Sequence, residues 1–254
     1  MKTICLGLLG SLFLCTGLEA QNIQPVNSGE IISNGLSLHD KGKYKEAINL
    51  YRQVPRNDTN YAKALYEMAL SLTTDSNFTE ALNTCEKGMQ LDNSPYESSF
   101  RILYGSILDD QGDQKRALQV YDSALIKYPQ LQGLLQNRAI TLMRMKKYDE
   151  AESILKGLII KNPFFSNAHY RLGICELNKG QIVPAVMCLF TYLLNNPGGT
   201  YSNHAINLLD NISKSTDEIM EFINKRPEQP AGNFAVVEQI ILSKIALDKN
   251  YKVI

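Results

Sequence analysis

Two kinds of amphipathic segment alternate along the chain. The first kind sets apolar positions at helical spacing around a small residue: Ile31-Asn34-Gly35-Leu38, Leu65-Met68-Ala69-Leu72, Tyr104-Gly105-Leu108, Leu135-Ala139-Leu142 and Leu172-Gly173. Side chains three and four apart share one face of a helix, so each segment predicts a helix with one buried stripe. A short polar stretch follows each: Lys41-Gly42-Lys43, Asp75-Ser76-Asn77, Gln111-Gly112-Asp113, Met145-Lys146-Lys147 and Lys179-Gly180-Gln181. The second kind of helix then opens, marked by Tyr44-Ala47-Tyr51, Phe78-Ala81-Cys85, Ala117-Tyr121-Ala124, Tyr148-Ala151-Leu155 and Ile182-Ala185-Leu189. Pro129, Pro163 and Pro197 close three of these helices, because proline brings no amide hydrogen to the next turn.

Ala47, Ala81, Ala117, Ala151 and Ala185 fall at intervals of 34, 36, 34 and 34 residues. A fixed period of this length means one helical hairpin copied and stacked, since a single hairpin cannot bury its own apolar face. The small residues Gly35, Ala69, Gly105, Ala139 and Gly173 are expected where the two helices of a hairpin approach closely, and the alanines where second helices meet their neighbours.

The unit resembles the tetratricopeptide repeat, which runs large-x-x-Leu-Gly-x-x-Tyr, then Ala, an aromatic, Ala and Pro. The chain departs from it in lacking tryptophan, in placing Asn34 and Arg138 where leucine is usual, and in closing the last first helix with Glu176. The resemblance covers residues 28–198, divided as 28–61, 62–97, 98–131, 132–165 and 166–198. It implies an all-α fold, a right-handed α-solenoid of about five hairpins with capping helices at the C-terminal end. In residues 199–254, Tyr201 to Ser213 and Thr216 to Arg226 are helical by pattern and resemble a degenerate sixth pair. Pro227 to Gly232 is a connector, and Asn233 can cap a last helix carrying Phe234, Val237, Ile240, Ile241, Leu242 and Ile245. That helix is too apolar for a solvated end, so it is expected to pack back on the sixth pair or to meet something outside this chain. The abrupt close at Tyr251-Lys252-Val253-Ile254 suggests a longer protein.

Residues 1–20 are of another kind. Lys2 precedes an apolar run from Ile4 to Leu14 and a stretch ending at Ala20, which reads as a secretory signal peptide cleaved before Gln21. Residues 21–27 are then a short lead, and the chain is expected to be exported to the periplasm or the outer membrane of a bacterium. The apolar run is too short for the roughly 20 residues that a spanning helix needs. Leu12-Phe13-Leu14-Cys15 loosely resembles a lipobox, which would place a lipid anchor at Cys15, although Leu14 is larger than such processing prefers. Cys85, Cys175 and Cys188 remain in the mature chain, an odd number on apolar helix faces, and are expected as buried free thiols.

Lys plus Arg and Asp plus Glu both number 26, which leaves no net positive charge to attract nucleic acid or anionic lipid. His39, His169 and His204 are scattered, and neither a metal-binding His-Glu-x-x-His nor a nucleophile or phosphate-loop motif occurs. Catalytic, cofactor and metal sites are therefore not expected. His169 is expected as a packed ring, and Asp109-Asp110 as a solvated helix end because the spacing of a calcium loop is missing. Asn57-Asp58-Thr59, Asn77-Phe78-Thr79 and Asn211-Ile212-Ser213 are formal glycosylation sequons, not expected to be used in a bacterial protein.

The resemblance places the binding surface on the concave wall, lined by first helices. In this register the inward residues are Lys63, Tyr66, Gln136, Asn137, Arg144, Tyr170, Arg171 and Asn178. Amides can pair with an extended peptide backbone, and rings and guanidinium groups add contact area. Some members of the family clamp a C-terminal carboxylate from five places on three successive first helices. Asn137 and Arg171 match two of them, while Asn167, Ile102 and Ser106 do not reproduce the rest. The resemblance thus implies a non-enzymatic scaffold for a peptide or protein partner, or alternatively the accessory arm of a longer envelope enzyme or surface-modification protein.

Overall fold

The computed structural model describes residues 27–214, 216–226 and 234–241. The leader, the 227–232 connector with Asn233 after it, and Leu242 and Ile245 of the last helix lie outside them. The described chain is all-α, built as five antiparallel hairpins. They pair α1 (Ser28–Asp40) with α2 (Tyr44–Tyr51), α3 (Tyr61–Thr74) with α4 (Phe78–Met89), and α5 (Glu97–Asp110) with α6 (Gln114–Lys127). The last two pair α7 (Gln132–Arg144) with α8 (Tyr148–Lys161), and α9 (Ser166–Asn178) with α10 (Ile182–Asn195). Helices α11 (Ser202–Ser213) and α12 (Asp217–Lys225) follow, and residues 234–241 are helical again.

Each second helix packs both on its own partner and on the first helix of the next hairpin. First helices also touch the next first helix, from α1–α3 through α7–α9, while second helices make no comparable contact with one another. The stack therefore curves with its first helices inside, which makes them the lining of the concave wall. The repeating alanines sit at the tightest places: Ala47, Ala81, Ala117, Ala151 and Ala185 are fully buried.

All five hairpin turns use one backbone device. A left-handed residue stands at Gly42, Ser76, Gly112, Lys146 and Gly180, with φ between 60° and 85°. The next amide then reaches back to the first helix: Lys43 to the Leu38 carbonyl, Asn77 to Leu72, Asp113 to Leu108, Lys147 to Leu142 and Gln181 to Glu176, at 2.8 to 2.9 Å. Such bonds satisfy carbonyls that the helix end would leave unpaired. Glycine suits this conformation without cost, whereas Ser76 and Lys146 hold a Cβ where L-residues are strained. Side-chain caps then start several helices. Asn27 accepts from the amide of Glu30, Asn77 from that of Glu80 and Asp113 from that of Arg116.

Within a hairpin, the small residue of the first helix faces a large one of the second. A Cβ on Gly35 would stand 2.4 Å from the Tyr51 ring, and a Cβ on Gly105 2.4 Å from the Tyr121 ring. Where the second helix carries Cys85 or Leu155 at the same repeat position, the first helix has alanine, Ala69 or Ala139, and both are fully buried. Gly173 lies between these cases, since its Cβ would meet the flexible Leu189 side chain at 2.9 Å.

The C-terminal end breaks the regular stacking. α11 packs on α10 as another first helix would, but α12 turns back to α9 instead of lying along α11. Its Ile219 and Ile223 are buried in one cluster with Leu177, Ile182 and Ile212. At Gly180 a Cβ would stand 2.5 Å from the Phe222 carbonyl oxygen, so the turn that needs glycine for its φ needs it again for the approach of α12. The Arg226 guanidinium donates to the Gly180 carbonyl and to both carboxylate oxygens of Glu238, the latter at 2.6 and 2.8 Å.

Two stability measurements follow from the hairpin geometry. Gly105→Ala should cost about 1–3 kcal/mol by overpacking, and the same change in a Tyr121→Leu background should cost less than about 0.5 kcal/mol, a coupling read from denaturant midpoints. Lys146→Gly should raise stability by about 1 kcal/mol, because it removes the left-handed strain, and a lowered midpoint would contradict the shared turn geometry.

Candidate binding groove

A depression of about 410 Å³ lies on the inner wall across α5, α7 and α9. Asn137, Arg144, Arg171 and Asn178, four of the inward residues expected from the sequence, border it together with Ser106, Asp109 and Asp110. Ile140, Met143 and Ile174 give it an apolar floor, and Tyr148 closes it from α8.

The polar residues are held in place by the protein itself. Asn137 donates one amide hydrogen to the Gly133 carbonyl at 2.8 Å, which leaves its second hydrogen and its oxygen for a ligand. Asn178 donates to the Ile174 carbonyl at 2.8 Å and accepts from the Tyr148 hydroxyl at 3.1 Å. Arg144 reaches across from α7 to α5, donating to Asp109 Oδ2 at 2.6 Å and to Asp110 Oδ1 at 2.8 Å. Arg171 donates to the Tyr201 hydroxyl at 3.0 Å, and its guanidinium lies 4.9 Å from the centre of that ring. Fixed side chains lose little rotamer freedom when a ligand arrives, which favours binding.

Asp109 differs from the solvated helix end expected for it. Its side chain is 5% exposed, and the ion pair to Arg144 ties adjacent first helices together. The sequence holds a signal for this pairing, because Arg144 follows Asp110 by 34 residues, one repeat on and therefore one helix over. Burial pushes the Asp109 carboxyl above the usual aspartate range, and the Arg144 charge only partly opposes the shift. Beneath the groove, Asp109 Oδ1, Thr141 Oγ1 and the Tyr121 hydroxyl are buried without well-formed hydrogen bonds. Thr141 is near enough to both neighbours to pull their pKa values down, yet burial still dominates.

The other inward residues lie outside this depression. Tyr170 is 4% exposed: its ring stacks on Tyr201 with centroids 4.3 Å apart, and its hydroxyl bonds to His204 Nδ1 at 2.8 Å. The cause is α11, whose entry beside α10 brings Tyr201 and His204 over a ring that the repeat pattern alone leaves facing inward. Tyr66 is half-buried against Tyr96 and edge-on to Phe100, each at 5.6 Å between centroids. Lys63 and Gln136 are half-buried on α3 and α7.

The remaining candidates have structural surroundings. His169 is buried and donates from Nε2 to the Pro163 carbonyl at 2.8 Å, while His39 Nδ1 bonds to Ser71 at 2.8 Å. The three cysteines are free, with Cys85 and Cys175 buried and Cys188 half-buried. Burial pushes the first two thiols up to about 12 and Cys188 to about 11, so none is poised as a nucleophile. Among the described residues, no cluster of His, Cys, Asp and Glu could hold a metal ion, and no helix is long and apolar enough to cross a membrane.

With this geometry in view, the comparisons agree on the class. The family model for the Psidin N-terminal tetratricopeptide region matches residues 97–175, the segment from α5 to most of α9. The crystal structure of TTC0263, a thermophilic tetratricopeptide protein of Thermus thermophilus, is 18% identical and superposes with a TM-score of 0.60. That match covers 72% of this chain and 98% of TTC0263. Residues 41 to the end of MamA from Desulfovibrio magneticus RS-1 are 14% identical at a TM-score of 0.52, with 68% of this chain and 97% of that MamA segment covered. No curated protein matches. The chain has the fold of a tetratricopeptide-repeat solenoid, as the repeat pattern implied.

A raised carboxyl pKa makes a pH prediction. Since folded Asp109 binds its proton more tightly than unfolded Asp109, its contribution to stability falls as pH rises from the ordinary aspartate range through the folded pKa. The melting temperature of Asp109→Asn relative to the original chain should therefore climb as the pH rises above the ordinary aspartate range. A difference that stays flat or declines in paired melts would contradict the burial of this carboxylate.

Proposed function

We propose that the chain is a non-enzymatic interaction scaffold that holds an extended peptide, or an extended segment of a protein partner, along its concave wall. The observation that carries this reading is the depression across α5, α7 and α9, where preset amide and guanidinium groups surround an apolar floor. A ligand spanning it would meet Asn137 on α7, then Arg171 and Asn178 on α9. The amides suit a peptide backbone, which offers donors and acceptors at regular intervals, and Ile140, Met143 and Ile174 suit an apolar side chain between them. Arg171 is already engaged with Tyr201 and Arg144 with two aspartates, so no bare cation dominates the wall. This balance favours a neutral, backbone-directed ligand over a terminal carboxylate.

The expected leader at residues 1–20 makes the bacterial cell envelope the proposed location. Cleavage before Gln21 would release the scaffold into the periplasm or against the outer membrane, and an intact-mass measurement of exported protein reads this directly.

Peptides selected by display on the immobilised chain test the groove. Asn137→Ala with Asn178→Ala should weaken the selected peptides about tenfold or more, while Ile160→Ser on second helix α8 should leave them unchanged. Equal binding by both variants would sink the reading.

A further inference from the structure

The exterior repeats a second feature, at the edge where one hairpin passes to the next. Ile126, Ile160 and Leu194 are each the last residue but one of a second helix, in α6, α8 and α10, and stand 34 residues apart. Equivalent places in successive repeats form a row along a stack, so the three line one edge. They are 80% to 86% exposed, and Phe164, in the connection after α8, adds a fourth side chain at 79%. None of the four lines the groove. The charges around them are of one sign. Residues 123–148 contain no acid, and residues 153–209 contain one, Glu176, which is buried. Lys127 and Lys161 directly follow Ile126 and Ile160. Asp122, one turn before Ile126, is held by Arg138, and Glu97, which reaches Lys127, is shared with Arg101, so the edge keeps a positive surplus. The balance of 26 basic and 26 acidic residues over the whole chain conceals this surplus, because the acids fall elsewhere.

We propose that this edge rests on an anionic bilayer surface, with its four apolar side chains in the interface and its lysines among the headgroups. A bilayer takes up projecting aliphatic and aromatic side chains whatever their outline, whereas a protein partner has to offer a matching hole for each. Lysine suits the boundary, since its stem stays with the apolar side chains and its ammonium with phosphate. Charge separates this occupant from nearer ones. Residues 242–254 carry Lys244, Lys249 and Lys252 against Asp248, the same sign as the edge. The side-chain charges of residues 1–26, Lys2 and Glu19, cancel, and the connector 227–233 has no large aliphatic or aromatic residue to set against the row. A second copy presenting the same edge would bring like charges together. Among the described residues no helix is long and apolar enough to cross a membrane, so the contact is with the surface. The first helices lie on the inner wall, and an edge seated on a bilayer leaves the groove open to its ligand.

Co-sedimentation of the full chain with vesicles tests the proposal. Binding to vesicles of phosphatidylcholine with about one-third phosphatidylglycerol should exceed binding to phosphatidylcholine alone and should weaken as salt rises. Ile160→Ser combined with Leu194→Ser should weaken binding to the anionic vesicles at least about tenfold, and Lys161→Glu at least about threefold, each with unchanged circular dichroism. Val236→Ser, at an exposed place on the helix that Arg226 holds near the α9–α10 turn, should bind like the original chain. Peptides selected on the groove should bind all these variants equally, which keeps this result separate from that one. Four results would overturn the proposal. No binding to either vesicle is the first, and vesicle binding that the edge variants leave unaltered, which would assign it to another part of the chain, is the second. Edge-dependent binding to soluble polyglutamate without binding to vesicles would assign the edge to an acidic protein. Self-association that the double variant abolishes would assign it to a second copy.

Discussion

The close approach of the two helices in each hairpin is the constraint on which the rest depends. A second helix can present a tyrosine to its partner only where the first helix has no side chain, as at Gly35 beneath Tyr51 and Gly105 beneath Tyr121. That ring then fills space that would otherwise be a void between hairpins, and it is buried almost completely in both cases. The small residue sets the interhelical distance, the distance sets the tilt of the next first helix, and the accumulated tilt curves the wall. The groove inherits its shape from contacts on the far side of its own helices.

The same rings give the solenoid an uneven interior. Tyr51 reaches Ser71, itself bonded to His39, and Tyr121 lies near Thr141 and Asp109, in junctions two repeats apart. The intervening and following junctions carry Cys85 and Leu155 at the tyrosine position, and the latter holds a buried Glu176 beside Lys156. Apolar junctions add stability per area buried, whereas polar ones lose part of that gain to desolvation and in return discriminate between registers. Arg144 belongs to the polar junction beneath the groove, where its pairing with Asp109 and Asp110 joins a buried layer to the binding surface. A ligand that draws Arg144 away would leave Asp109 buried and unpaired, so the protein resists that displacement. The arginine is better read as a wall of the groove than as a hand within it.

The hairpins were legible in the sequence because each marker does one local thing. Alanine spacing gives the period, the Gly42-type positions give the turns, and the prolines give the ends. Of the eight residues read as inward, Asn137, Arg144, Arg171 and Asn178 border one depression because repeat register fixes which face a residue takes. What the register could not supply is any contact between non-equivalent elements. Tyr170 disappears under Tyr201 and His204 of α11, a helix without the alanine markers, and Asp109 is buried by an arginine from another repeat. The solvated reading of Asp109 failed because a charge at a helix end is usually free. Here a guanidinium from the next first helix compensates its burial, and that is a tertiary fact.

The C-terminal end shows why a solenoid cannot simply stop. A sixth regular second helix would expose its outer apolar face, just as α10 does, and would pass the unpaired surface along by one repeat. Instead α12 returns to α9, made possible by the bare backbone at Gly180, and Arg226 anchors the end through Gly180 and Glu238. The Arg226 and Glu238 side chains are 6% and 5% exposed, so neither is solvated. Removing one partner from such a pair costs far more than the pair contributes, which makes it a device for geometry more than for stability. By holding Glu238 inward it fixes the rotation of the 234–241 helix on the end of the stack. The ion pair therefore sets how the last described helix lies against the turn between α9 and α10.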